Sequence, residues 1–198
     1  MEKTKPYHHG NLRKTLLGAA VQLIAEVGPM AFTLREVARR AGVSHNAPYR
    51  HFRDKDDLMT AVAIEGYREL TEAMEKATRD RDGALDRLKR AGLAYIEFAL
   101  RRPEHVAVMF DAPLKGRRHQ ESNPAAKQAF FVLVGLVRDA VESRELADGD
   151  PLEYAYLAWT MVHGVAKLAI TGRLPYRTKA AVLKFASFVI EASLPLRR

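Results

Sequence analysis

One stretch constrains the fold of this chain more than any other: Thr33-Leu34-Arg35-Glu36-Val37-Ala38-Arg39-Arg40-Ala41-Gly42-Val43-Ser44-His45-Asn46-Ala47-Pro48-Tyr49-Arg50-His51-Phe52. Thr33, with Glu36 three residues on, predicts a capping box and therefore a helix start. Leu34, Val37, Ala38 and Ala41 then share one helical face. Gly42 predicts the end of that helix, because glycine takes the left-handed conformation such an end needs. Val43 is apolar within the turn and is expected to anchor it to the core. Ser44 is placed to cap a second short helix whose first turn presents His45, Asn46, Ala47 and Pro48. Two short helices about a glycine turn, the second opening on polar residues, have the form of a helix-turn-helix reader of DNA.

The rest of the chain also reads as helix. A first helix is expected over about 11–27, with Leu12, Leu16, Ala19, Ala20, Leu23 and Val27 as its apolar stripe, ended by Gly28-Pro29. Asp54 caps a long helix to about Thr78, and Arg79 to Gly83 is a polar break. Further helices are expected over about 84–101, 104–110, 125–144, 150–171 and 177–193. Pro103, Pro124 and Pro151 stand at first-turn positions and Gly172 at an end. The segment from Asp111 to Asn123 is a basic, polar loop. No strand-type alternation or short internal repeat is present. The expected fold class is all-α, with about nine helices: a three-helix DNA-binding head over 1–53 and a helical body over 54–198.

Charge and composition narrow the function. The chain of 198 residues carries a formal net charge of +8. Through residue 55 it holds 10 Lys and Arg against 4 Asp and Glu, so most of the excess lies in the first quarter. A basic end of this kind suits a polyanion through counterion release; a solvated basic face is the alternative on charge alone. Lys3 and Lys5, in an arm over residues 1–10, can reach along DNA, or the arm is simply a tail. The chain has no cysteine, which excludes disulfides and thiolate chemistry and fits the cytoplasm. No membrane span or secretory leader is expected. His8-His9 has no further ligand near it, so no metal is expected, and no cofactor. A glycine-rich phosphate loop, His-Glu-x-x-His and Gly-x-Ser-x-Gly are all missing, which argues against an enzyme. A sequence-neutral nucleoid protein would need only the basic surface.

The order of a capped first helix, Thr33 to Ser44, Tyr49-Arg50-His51-Phe52, then Lys55 and Leu58 closely resembles the head of TetR-type transcriptional regulators, over roughly residues 8–60. Trp159-Thr160-Met161-Val162-His163-Gly164 resembles the signature of a subgroup named for Trp, His and Gly. Where many relatives have glycine three residues after the turn serine, this chain has Ala47, followed by Pro48. The resemblance implies a regulator, by default a repressor, that binds double-stranded operator DNA as a homodimer on inverted half-sites. It also implies release by a small-molecule effector whose identity is open.

Candidate residues follow from position and chemistry. Thr33, at a helix start, suits a phosphate; the resemblance implies that Tyr49 and His51 hydrogen-bond phosphates, Lys55 adds a charge at the start of the long helix, and Arg35 and Arg50 are expected on backbone or base. Ser44, His45, Asn46, Ala47 and Pro48 lie where a helix would enter the major groove: Asn46 suits adenine, His45 guanine and Ala47 a thymine methyl. In the body, Tyr95, Phe98, Met109, Phe110, Phe130, Phe131, Val134, Trp159 and His163 are expected to converge. They would line a pocket for an apolar or aromatic effector, or fill a core. The resemblance implies a dimer interface on the last two helices, where Tyr156, Thr160, Val182, Phe185 and Val189 are the candidate contacts, with intramolecular core as the alternative for some.

Overall fold

The computed structural model describes residues 9–79, 83–112 and 123–197. The expected N-terminal arm up to His8, residues 80–82 of the polar break and residues 113–122 of the basic loop lie outside the described residues. Eight α-helices are present among those described, with no strand: α1 (His9–Val27), α2 (Leu34–Arg40), α3 (Lys55–Thr78), α4 (Ala84–Arg101), α5 (Pro103–Val106), α6 (Pro124–Glu142), α7 (Pro151–Ile170) and α8 (Lys179–Ser193). A π-turn, Ala107–Asp111, continues α5. None of these helices is long and apolar enough to cross a membrane.

The difference from expectation is the third helix. Between α2 and α3 the chain forms only a 3-10 turn, Pro48–Arg50. With Ser44 as cap, residue 48 is the first whose N–H closes an α-helical bond, onto the Ser44 carbonyl. Proline has no N–H to give. The Ala47 N–H instead bonds the Ser44 carbonyl at 2.9 Å, and the tighter pattern continues with His51 onto Pro48 at 2.9 Å.

The chain divides into two compact units, and the division falls inside α3 between Glu65 and Gly66. The first holds the described residues of Met1–Glu65 and Glu104–His119; the second holds those of Gly66–Pro103 and Gln120–Arg198. In the first, α1 packs on α2, and Leu16, Val37, Phe52 and Leu58 are buried. In the second, α4 is the central helix and packs against α6, α7 and α8. Small residues on its inner face, Ala91 and Gly92, let those neighbours approach. A Cβ at Gly92 would stand 3.0 Å from Ile190 Cδ1 and 3.3 Å from Val162 Cγ1.

Several ends are capped as their residues dictate. The Asp150 carboxylate accepts from the Leu152 N–H at 2.8 Å, and the Thr178 hydroxyl accepts from the Ala181 N–H at 3.2 Å. The start of α4 is different. Gly83 offers it no side chain, and the free N–H groups of Ala84 and Leu85 donate to the Glu145 carboxylate, at 2.8 and 3.3 Å. Burial pushes the Glu145 carboxyl up. The hydrogen bonds from Ala84, Ser143 and Leu85, with the nearby Arg87 charge, outweigh burial and leave it below its ordinary value. The same turn ties down the end of the chain: the Ala147 N–H bonds the Pro195 carbonyl at 2.8 Å, and the Arg197 N–H bonds that of Glu145 at 3.3 Å.

Candidate nucleic-acid interface

The turn that opened the sequence is held at both ends of α2. At its start the Thr33 hydroxyl accepts from the Glu36 N–H at 3.3 Å, while the Glu36 carboxylate accepts from the Thr33 N–H at 2.7 Å. The Thr33 hydroxyl also donates to the Glu36 carboxylate at 2.9 Å, and this bond, with that from the Thr33 N–H, holds the Glu36 carboxyl below its ordinary value. At its end Gly42 takes a φ of +66°. The Val43 N–H reaches back to the Ala38 carbonyl at 3.0 Å, and the Gly42 N–H reaches that of Arg39 at 3.2 Å. This is the paired bonding of a Schellman end, which a Cβ at residue 42 would strain. The Arg40 guanidinium forks onto the Glu26 carboxylate, pinning the end of α2 to the end of α1. At the start of α3, Asp54 accepts from the Asp57 N–H at 2.8 Å and Asp57 from the Arg53 N–H at 3.0 Å.

On that frame Thr33, Arg35, Ser44, His45, Asn46, Tyr49 and Arg50 are exposed, and His51 is half-buried. Tyr49 shows 52 % of its surface. Ala47 and Pro48, expected to face DNA, turn inward instead: both are buried, because the 3-10 turn points them at the core. Lys55, expected to present a free charge, is occupied. Its ammonium donates to the Met30 carbonyl at 2.8 Å and lies 4.3 Å from the centre of the Phe32 ring. Burial lowers its pKa, against the opposing pull of Asp56 and Glu36. Arg13, not singled out from the sequence, lies exposed on α1 with its guanidinium 5.3 Å from the centre of the Phe52 ring.

In the second unit a small, partly open cavity of about 30 Å³ lies among α3, α4, α6, α7 and α8. Of the expected pocket residues, Tyr95 and Trp159 line it. The Tyr95 hydroxyl meets His163 Nδ1 at 2.7 Å, and the Phe130 ring lies 6.0 Å from that of Trp159. Phe98 and Val134 are buried in the core and do not line the cavity. Phe131 is 62 % exposed. It follows Phe130 on α6, and one residue of helix turns a side chain by about 100°. Met109 and Phe110 belong to the first unit, since the chain after Pro103 clusters there. Met74, Leu88, Ala91, Gly92, Leu133, Ala158, Met161, Val162, Ile190 and Leu194 complete the lining. Only Gly92, a lone glycine within a helix, carried a local sign of close approach.

The bacterial tetR-family regulatory profile matches residues 16–62, and the tetracyclin repressor-like C-terminal domain profile matches residues 88–192. The second alone covers more than half of the sequence.

The chain belongs to the TetR family.

A Rhodococcus sp. RHA1 protein of unknown function shares its fold at a TM-score of 0.80, with 34% identity over 97% of this chain and 100% of that one. The fatty acid metabolism regulator protein of Bacillus subtilis (strain 168) is 24% identical over 89% of this chain and 90% of its own. A third likeness is shorter. The HTH-type transcriptional repressor Rv3405c of Mycobacterium tuberculosis is 47% identical over 47 residues, 24% of this chain and 25% of that protein. As a TetR-family member the protein is a DNA-binding transcription regulator, not an enzyme.

The candidate dimer contacts on the last two helices differ in exposure. Tyr156 and Thr160 are exposed on α7, and Phe185 and Val189 are half-buried on α8. Val182 is buried at 4 % exposure, because the 182, 186, 190 stripe of α8 faces inward. Phe188, unremarked in the sequence as a contact, is 65 % exposed, with Phe185 packed beside it at 6.4 Å between ring centres.

Proposed function

We propose that this protein is a cytoplasmic, ligand-responsive repressor that binds a palindromic operator as a homodimer and is released by a small apolar or aromatic effector. The observation that carries the reading is the rigid α2 turn, capped at both ends, with polar and basic side chains exposed just beyond it. Thr33, Arg35, Tyr49, Arg50 and His51 hold the phosphate backbone, and Ser44, His45 and Asn46 read base edges. Lys55 contributes its charge from a fixed place and does not swing onto a phosphate. Residues 1–53 act as the DNA-binding domain and 54–198 as the effector and dimer domain, of the Trp-His-Gly type. The name of the mycobacterial relative, a repressor, supports the sign of regulation.

Homodimerisation is supported by the exposed apolar groups Leu152, Tyr156 and Phe188, with Thr160, on the last two helices. One head spans too little DNA for useful specificity. Effector binding favours a body shape in which the two heads no longer match the half-site spacing, and α3 carries the change. A coupling of about 1–3 kcal/mol weakens operator binding roughly five- to 150-fold. Footprinting tests the reading: a discrete protected palindrome agrees with it, and uniform coverage points to a nucleoid protein.

A further inference from the structure

We infer that the body cavity selects an uncharged ligand, an apolar molecule with at most one hydrogen-bond donor, and rejects the carboxylate of the same shape. The inference rests on reading the second unit as the effector domain and adds the chemistry of what it takes. None of the residues lining the cavity is Asp, Glu, Lys, Arg or His. Leu88, Leu133, Met161 and Ile190 offer only apolar surface. Polar chemistry at the wall is confined to Trp159 and Tyr95.

That polar pair is committed in one direction. An indole N–H only donates, and that of Trp159 is bonded to the Tyr95 hydroxyl. The phenol oxygen therefore accepts there, and it meets His163 Nδ1 at 2.7 Å. Burial pushes the Tyr95 phenol far above its ordinary value, so it keeps its proton. The phenol and the indole thus bring no charge to the cavity wall. Among the lining side chains the phenol supplies the oxygen acceptor, which matches one donor such as an alcohol O–H. A carboxylate there would lose its water and find no cation among the lining residues, a heavy penalty for a buried charge.

Trp159 is the only tryptophan of the chain and lines the cavity, so its emission reports occupancy. The full-length protein is titrated with 1-octanol and with octanoate at about pH 8, where a carboxylic acid is ionised. Octanol is expected to shift the emission saturably, and octanoate to need at least about tenfold more. Equal or tighter binding of octanoate, or no saturable response to octanol, overturns the inference. Met161→Lys supplies the missing cation and is expected to close or reverse the gap; an unchanged gap counts against the inference. Leu133→Lys repeats the test from α6 if the first variant does not fold. Release of bound DNA in the same samples separates the two readings. Octanol that binds without releasing DNA overturns the effector role and leaves the selectivity standing. Octanoate that binds more tightly and releases DNA does the reverse.

Discussion

Thr33 has one structural duty beside the proposed one. Its hydroxyl closes the capping box of α2, and the residue is exposed, where the proposed phosphate contact would form. Thr33→Ala is expected to lower stability by about 1 kcal/mol in thermal unfolding without DNA, and Thr33→Ser to restore most of it. Lys55 makes a comparable case. Because its ammonium is spent on the Met30 carbonyl and the Phe32 ring, Lys55→Ala should lower the melting temperature of the free protein. A lysine reserved for phosphate would leave that temperature unchanged. Tyr49→Phe is expected to weaken binding to all duplexes alike, by removal of one phosphate bond. Asn46→Ala should instead change which sequences are preferred, with discrimination of about 1–3 kcal/mol lost at one base pair. Binding isotherms on matched and mismatched duplexes distinguish the two, and equal losses across sequences from both would mean that their roles are wrongly divided.

Helix ends differ in how far away their partners lie, and this decides what could be read in advance. The end of α2 was legible because Thr33, Glu36 and Gly42 act within a few residues of one another. The start of α4 was not, because its cap, Glu145, comes from 61 residues along the chain. That distant cap has a pH signature. The Glu145 carboxyl sits below its ordinary value in the folded protein, so its contribution is fully present above the unfolded value and fades as pH falls through the folded one. The melting temperature of Glu145→Gln should therefore fall short of that of the unsubstituted protein at neutral pH, and the two should converge in acid. A constant difference across pH would assign the loss to packing. Pro48 was visible in the sequence, yet its missing N–H falls on the bond that would have begun an α-helix, so the expected third helix is a 3-10 turn. Met109 and Phe110 had the right residue type for the cavity; their clustering with the first unit depends on the path of the whole chain, which local periodicity does not encode.

For the protein as an assembly, the proposed regulator needs two heads held at a fixed spacing. Phe188 is solvent-exposed in the single chain, so Phe188→Asp should leave folding intact. Sedimentation should then show a shift from dimer to monomer, with operator affinity falling together with it. A variant that stays dimeric would place the interface elsewhere. All-α architecture, the turn and the family were legible from Thr33 to Phe52 and the helical periods around them. The cavity was only half legible, since Tyr95 and Trp159 were in place while most of its wall is made of small and aliphatic residues that any core contains. The most direct measurement is selection of bound duplexes by the full-length protein from a random pool. The helix-turn-helix reading predicts an inverted repeat of two short half-sites at one spacing, altered at a single position in each half by Asn46→Ala. A pool that emerges without any enriched motif, or with a single unpaired site, would contradict it.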